Sequence, residues 1–115
     1  TQSEIFVLVT HSHWDHIQGF PFFAPLYLPE RVVHMFPAPV GKETLCSLLS
    51  QMDGAHFPIG PEDLMSHNDC VHEDPISHLA ARGIRLSRIA VNHPGGACGY
   101  RVDDEGRSAV FIPDN

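Results

Sequence analysis

The sequence predicts a single α/β (α+β) domain over residues 1–115, and three observations carry that expectation. A β-branched apolar run, Ile5 to Val9, is closed by Thr10 and leads straight into a string of metal-ligand side chains. A leucine stripe at helical spacing occupies the middle of the chain. Strand-type segments separated by glycine-rich turns fill the last third. A chain of 115 residues with 43% hydrophobic content is ordinary for one globular domain.

Taken in order, residues 4–10 read as a strand, apolar on both faces and therefore expected to be central. The ligand string lies in the loop at the strand's carboxyl end, where α/β proteins commonly place their sites. Residues 15–19 begin a short helix that stops before Pro21. Residues 20–28 carry Phe20, Phe22, Phe23 and Tyr27, cut by Pro21, Pro25 and Pro29. They read as a helix plus turn packed on the sheet, with a hydrophobic substrate wall as the functional alternative. Residues 31–36 form a second strand, on which His34 is most simply a strand histidine. Residues 41–44 open a helix that runs to about Met52. Leu45, Leu48, Leu49 and Met52 fall on one face, as a core stripe rather than a cofactor box. Gly54 stands where a helix stop belongs.

Residues 55–61 are turn-rich, and residues 61–64 look like a helical start with proline first and acids in the first turn. Residues 66–77 carry His67, Asp69, His72, Glu73 and Asp74. Their loose spacing, with no apolar strand beneath, reads as a solvated loop rather than a second metal site. Residues 83–92 return to strand character. A glycine-rich loop, residues 93–99, then holds one histidine, His93. Residues 100–102 and 108–112 pair as a hairpin around Asp103-Asp104-Glu105-Gly106.

The formal net charge of −7 argues against a nucleic-acid groove lined with Lys and Arg. An anionic substrate stays open, because bound divalent metals reverse the local potential. No apolar run approaches the ~20 residues needed to span a bilayer. There is no basic, signal-like start, and a cytoplasmic location without membrane partners is expected. Cys46, Cys70 and Cys98 are odd in number and form no CxxC pair. They read as reduced thiols, each a small buried hydrophobe.

His11-Ser12-His13-Trp14-Asp15-His16 packs three imidazoles and one carboxylate into six positions. Buried without a metal, they would leave several polar groups to satisfy. Imidazole plus carboxylate suits zinc, and also iron or manganese. Nine histidines is a high count for this length, and the string accounts for only some of them.

The His-x-His-x-Asp-His string, followed by His93 on a Gly-rich loop, Gly99-Tyr100-Arg101, and a strand ending in Asp114, resembles the metallo-β-lactamase superfamily over nearly the whole chain. The stretch from His93 to Arg101 is most similar to its phosphodiesterase and tRNA-processing endonuclease branch. The resemblance implies part of an αββα sandwich, one half or a central segment. It implies that His11, His13 and His93 hold a first metal, that Asp15 and His16 face a second, and that Asp114 bridges both. Zinc in two sites is the implied cofactor, with manganese or iron as alternatives. Family members usually begin with two or more strands before the motif and continue to a last histidine. On that pattern the chain, which starts at Thr1, is a segment incomplete at both ends.

The implied activity is metal-dependent hydrolysis, foremost of a small-molecule or nucleotide-type phosphodiester by a metal-activated hydroxide. Asp15 would act as the catalytic residue that orients the water or accepts its proton. Hydrolysis of a thioester, lactone or lactam on the same metal frame is the second reading. A non-catalytic, metal-binding, dimerising fragment is the third. A homodimer is expected because missing strands would leave apolar edges to cover.

Overall fold

The structure, a computed structural model, describes residues 4–36, 46–71 and 73–115. Among the described residues, six strands and three short helices follow one another as β1 (Glu4–Leu8), α1 (Trp14–Ile17), β2 (Val32–Phe36), α2 (Ser47–Ser50), β3 (His67–Cys70), α3 (Pro75–Ala80), β4 (Arg85–Val91), β5 (Ala97–Asp104) and β6 (Arg107–Phe111). Single 3₁₀ turns lie at Phe20–Phe22, Ala24–Tyr27 and Pro61–Asp63. The first sheet is parallel in the order β1-β2-β3, and the second is an antiparallel meander, β4-β5-β6.

The period-2 alternation of β1 sorts its side chains between two cores. Val7 and Val9 turn to a cluster built on Ile17, Phe20, Leu26, Val33, Met35 and Leu48, in which Leu26, Val33 and Met35 are fully buried. Phe6 and Leu8 turn the other way, onto Leu79, Leu86, Cys98 and Tyr100. The first sheet is thus covered by helical turns on one face and by the second sheet with α3 on the other. The result is an α+β arrangement of layered sheets, as expected from the sequence.

Local chemistry sets the element ends. The Asp74 carboxylate caps α3 by accepting from the Ile76 amide, and Pro75 occupies the first turn. The β5–β6 turn carries Glu105 at φ 47° and Gly106 at φ 77°, the two positive φ values of a type I′ hairpin. Between β4 and β5, Gly95 and Gly96 adopt φ 82° and 88°, a path open to glycine that turns the chain back immediately after His93.

Three expectations need correction. β1, expected to be central, pairs only with β2 among the described residues. Its two apolar faces answer to two packed layers, not to two neighbouring strands. Residues 66–77, expected to be a solvated loop, contain β3 and the start of α3. β3 has a polar sequence because it is an edge strand with alternating exposure, His67 and Asp69 out, Asn68 and Cys70 half-buried. Within the helix expected from residue 41 to about Met52, only Ser47–Ser50 is helical among the described residues; residues 41–45, and with them Leu45, lie outside. Leu48 and Met52 are buried as the stripe requires. The aromatic segment divides: Phe20 is in the core, whereas Phe22 is exposed.

Candidate metal centre

β1 delivers its chain end into the centre. Past Leu8, Val9 and Thr10 are still buried, and the chain then opens into His11–His13 and the single turn of α1. Two hydrogen bonds stitch this exit to the second sheet: Cys98 N–H to Thr10 O, 3.1 Å, and Tyr100 O–H to Val9 O, 3.0 Å. The loop that follows β4 brings His93 alongside, and the segment past β6 brings Asp114. A contact from the Asn92 amide to the Asn115 side chain, 3.3 Å, ties these last two together.

The ligand-type atoms converge. His11, His13 and His93 offer nitrogens within 4.8 Å of one another, and so do His11, His16 and Asp114 through nitrogens and a carboxylate oxygen. His13 Nδ1 and His93 Nε2 are 3.1 Å apart. Asp114 Oδ2 stands between the two groups, 3.1 Å from His16 Nε2, 3.3 Å from His11 Nε2 and 3.5 Å from His93 Nε2. Two nitrogens each bound to one tetrahedral zinc lie about 3.3 Å apart, so these separations match a ligand shell.

His11 supplies a second test of fit. The residue is 2% exposed, and its Nε2 is buried without a hydrogen bond; Asp114 Oδ2 is near in distance but outside hydrogen-bond geometry. A buried, unbonded ring nitrogen facing other donors is what a metal would satisfy. The electrostatics agree. Burial, then the imidazoles of His16, His93 and His13, push the His11 pKa below its ordinary value, while Asp114 pulls it up less strongly. The ring is therefore held neutral, the form that coordinates.

Of the six residues singled out from the sequence, the structure brings His11, His13, His16, His93 and Asp114 together. Asp15 stands at the rim, its side chain 75% exposed and its Oδ2 3.5 Å from His16 Nε2, outside both ligand groups. Tyr100 and Arg101 point to other work. Tyr100 is buried on the Val9 carbonyl, and Arg101 is held by Asp103 at 3.0–3.2 Å. His34 does not join the centre. It stacks on Phe6 and contacts Glu4 and Asp69 at 3.2 and 2.8 Å. Cys98 is buried and no cysteine belongs to either ligand group. Thr10 passed in the sequence as the end of a strand, yet it touches His11 directly, with Oγ1 3.0 Å from Nδ1.

Layered sheets with a histidine-rich cluster at one strand end define a domain with a candidate metal centre. A family model for the Beta-lactamase superfamily domain matches residues 5–115, and the chain belongs to that superfamily. No curated protein and no solved structure matches it significantly. Among the described residues, no helix is long and apolar enough to cross a membrane.

Proposed function

We propose that the chain is a metal-dependent hydrolase acting on phosphodiesters, with zinc as the first-choice metal and manganese or iron as substitutes. The observation that supports it most is the convergence of His11, His13, His16, His93 and Asp114 around the unbonded Nε2 of His11. His11, His13 and His93 would hold one ion, His16 would hold a second, and Asp114 would serve both. A divalent ion there supplies Lewis acidity and lowers the pKa of a water toward neutrality. The protein's own part is positional. Asp114 would place its carboxylate between the two ligand groups, and the exposed Asp15 carboxylate at the rim would orient the attacking water and take its proton. No protein nucleophile is called for, and Cys98, a β5 residue buried in the core with Leu79 and Leu86, is not placed to be one.

A second reading, hydrolysis of a thioester, lactone or lactam, has one observation in its favour. A cavity of about 340 Å³ opens beside His16, walled by Ile17, Phe20, Phe23, Leu48 and Phe111. It suits an apolar acyl group better than a charged one.

The two separate on substrates. Protein stripped by chelator and reloaded with zinc or manganese should hydrolyse bis(p-nitrophenyl) phosphate and lose that activity on renewed chelation. Turnover of acyl esters or lactones alone would favour the second reading. Bound metal with no turnover of either class would leave a binding module. The ligand assignment has its own check: His13→Ala should show a clear loss of bound zinc by elemental analysis, and an unchanged content would refute it.

A further inference from the structure

We infer that Thr10 is a positioning residue for the metal centre, a hydroxyl that fixes the ring of His11 and is itself anchored to the opposite sheet. The inference rests on the metal-centre reading above and concerns a residue outside the ligand set. Thr10 is 5% exposed and His11 2% exposed, so water competes little for their side chains. Thr10 Oγ1 lies 3.0 Å from His11 Nδ1. With Nδ1–H donating to that oxygen, Nε2 keeps its lone pair, and Nε2 is the buried atom that makes no hydrogen bond of its own. The opposite arrangement, hydroxyl donating to Nδ1, would put the proton on Nε2, among the nitrogens of the neighbouring histidines and the Asp114 carboxylate. That would block the buried nitrogen that stands 3.3 Å from Asp114 Oδ2.

The anchoring is the second half of the device. The Thr10 carbonyl accepts from the Cys98 amide at 3.1 Å, and the Val9 carbonyl accepts from Tyr100 O–H at 3.0 Å. Both donors belong to β5, the strand that begins just past the His93 loop. A chain of contacts thus runs from β5 through the Thr10 backbone and hydroxyl to the His11 ring. It sets that ring relative to His93, which comes from the other sheet. Partners of this kind orient ligands and fix their tautomer, and their loss typically costs about 10- to 100-fold in metal affinity.

Three variants and one spectroscopic measurement test this. Thr10→Val keeps the shape and removes the hydroxyl; Thr10→Ser keeps the hydroxyl. Zinc affinity is read by competition with a chromophoric chelator, and the metal-free melting temperature is the fold control. Thr10→Val should bind zinc about 10- to 100-fold more weakly, and Thr10→Ser should stay within about threefold of the parent chain. Tyr100→Phe should weaken binding in the same direction as Thr10→Val. Independently, nitrogen NMR of the zinc-loaded parent chain should show His11 protonated at Nδ1. Parent-like affinity in Thr10→Val overturns the inference. So does equal loss in Thr10→Val and Thr10→Ser, or a proton on Nε2. Should Thr10→Val fail to fold, the NMR measurement and Thr10→Ser decide. A parent chain that binds no zinc at all would instead count against the metal-centre reading itself.

Discussion

His11 is the least exposed of the converging side chains, and its burial sets a direction for pH. Burial first, then the imidazoles of His16, His93 and His13, holds its pKa below the ordinary 6.5. The folded chain therefore takes up this proton less readily than the unfolded one. The stability this implies is present above pH 6.5 and is lost as pH falls through the depressed folded value. Chelator-treated protein should melt at lower temperature at about pH 5.5 than at about pH 7.5, and His11→Gln should flatten that dependence. A melting temperature that stays level or rises on acidification would contradict it. Metal binding should follow the same sense, since protonated imidazoles do not coordinate. The two ligand groups differ as well: one has three imidazoles, the other two imidazoles and a carboxylate, and they share His11. Calorimetric titration with zinc should give one tight and one loose event, or the tight one alone. Two equally tight ions per chain would refute that ranking.

Among the elements, β5 passes close at Gly99 to Ile112, the residue that follows β6. A Cβ there would stand 2.6 Å from Ile112 Cγ1, and a β-branched side chain has little rotamer freedom to escape. Asp114 lies two residues beyond Ile112 on the same segment. Gly99→Ala should cost about 1–3 kcal/mol in urea unfolding and weaken zinc binding by displacing that segment. A variant that binds zinc like the parent would show that Asp114 is positioned independently of β6. The elements also show what a sequence can and cannot tell. β1, β2, β4 and the hairpin were legible because β-branched apolar runs and a D-x-G turn are local signals. β3 was not, because a half-exposed edge strand of His, Asn, Asp and Cys has no apolar face to announce it. Much of the site was legible because three of its five converging residues, His11, His13 and His16, fall within six positions. His93 and Asp114 had to come from family likeness, since a single histidine or aspartate has no spacing to read. The pairing of Thr10 with His11 is adjacent in sequence, but a threonine ending a strand looks the same whether or not its hydroxyl serves a ligand.

The whole molecule is flat, 40 × 38 × 21 Å, with a radius of gyration of 14.4 Å against the ~13 Å of a compact chain this long. Ile89, Val110, Phe111 and Ile112 of the second sheet and the segment after it are 46–62% exposed. Among the described residues, β1, β3, β4 and β6 each pair on one side only. Edges and apolar surface of this kind favour association with a second copy. Sedimentation at micromolar concentration should show a dimer burying above ~1,000 Å². A monomer that binds no hydrophobic dye would rule that assembly out. The placement of the ligands carries a further consequence. His11, His13 and His16 leave the first sheet, while His93 and Asp114 leave the second, so any ion gripping both sets acts as a rivet through the two layers. Prising the layers apart and ejecting the ion become the same event. The protein should then resist heat, proteases and amide exchange in β4–β6 increasingly as the free ion rises, with the logarithm of its concentration above the dissociation constant, so that the ambient metal level sets the strength of the fold.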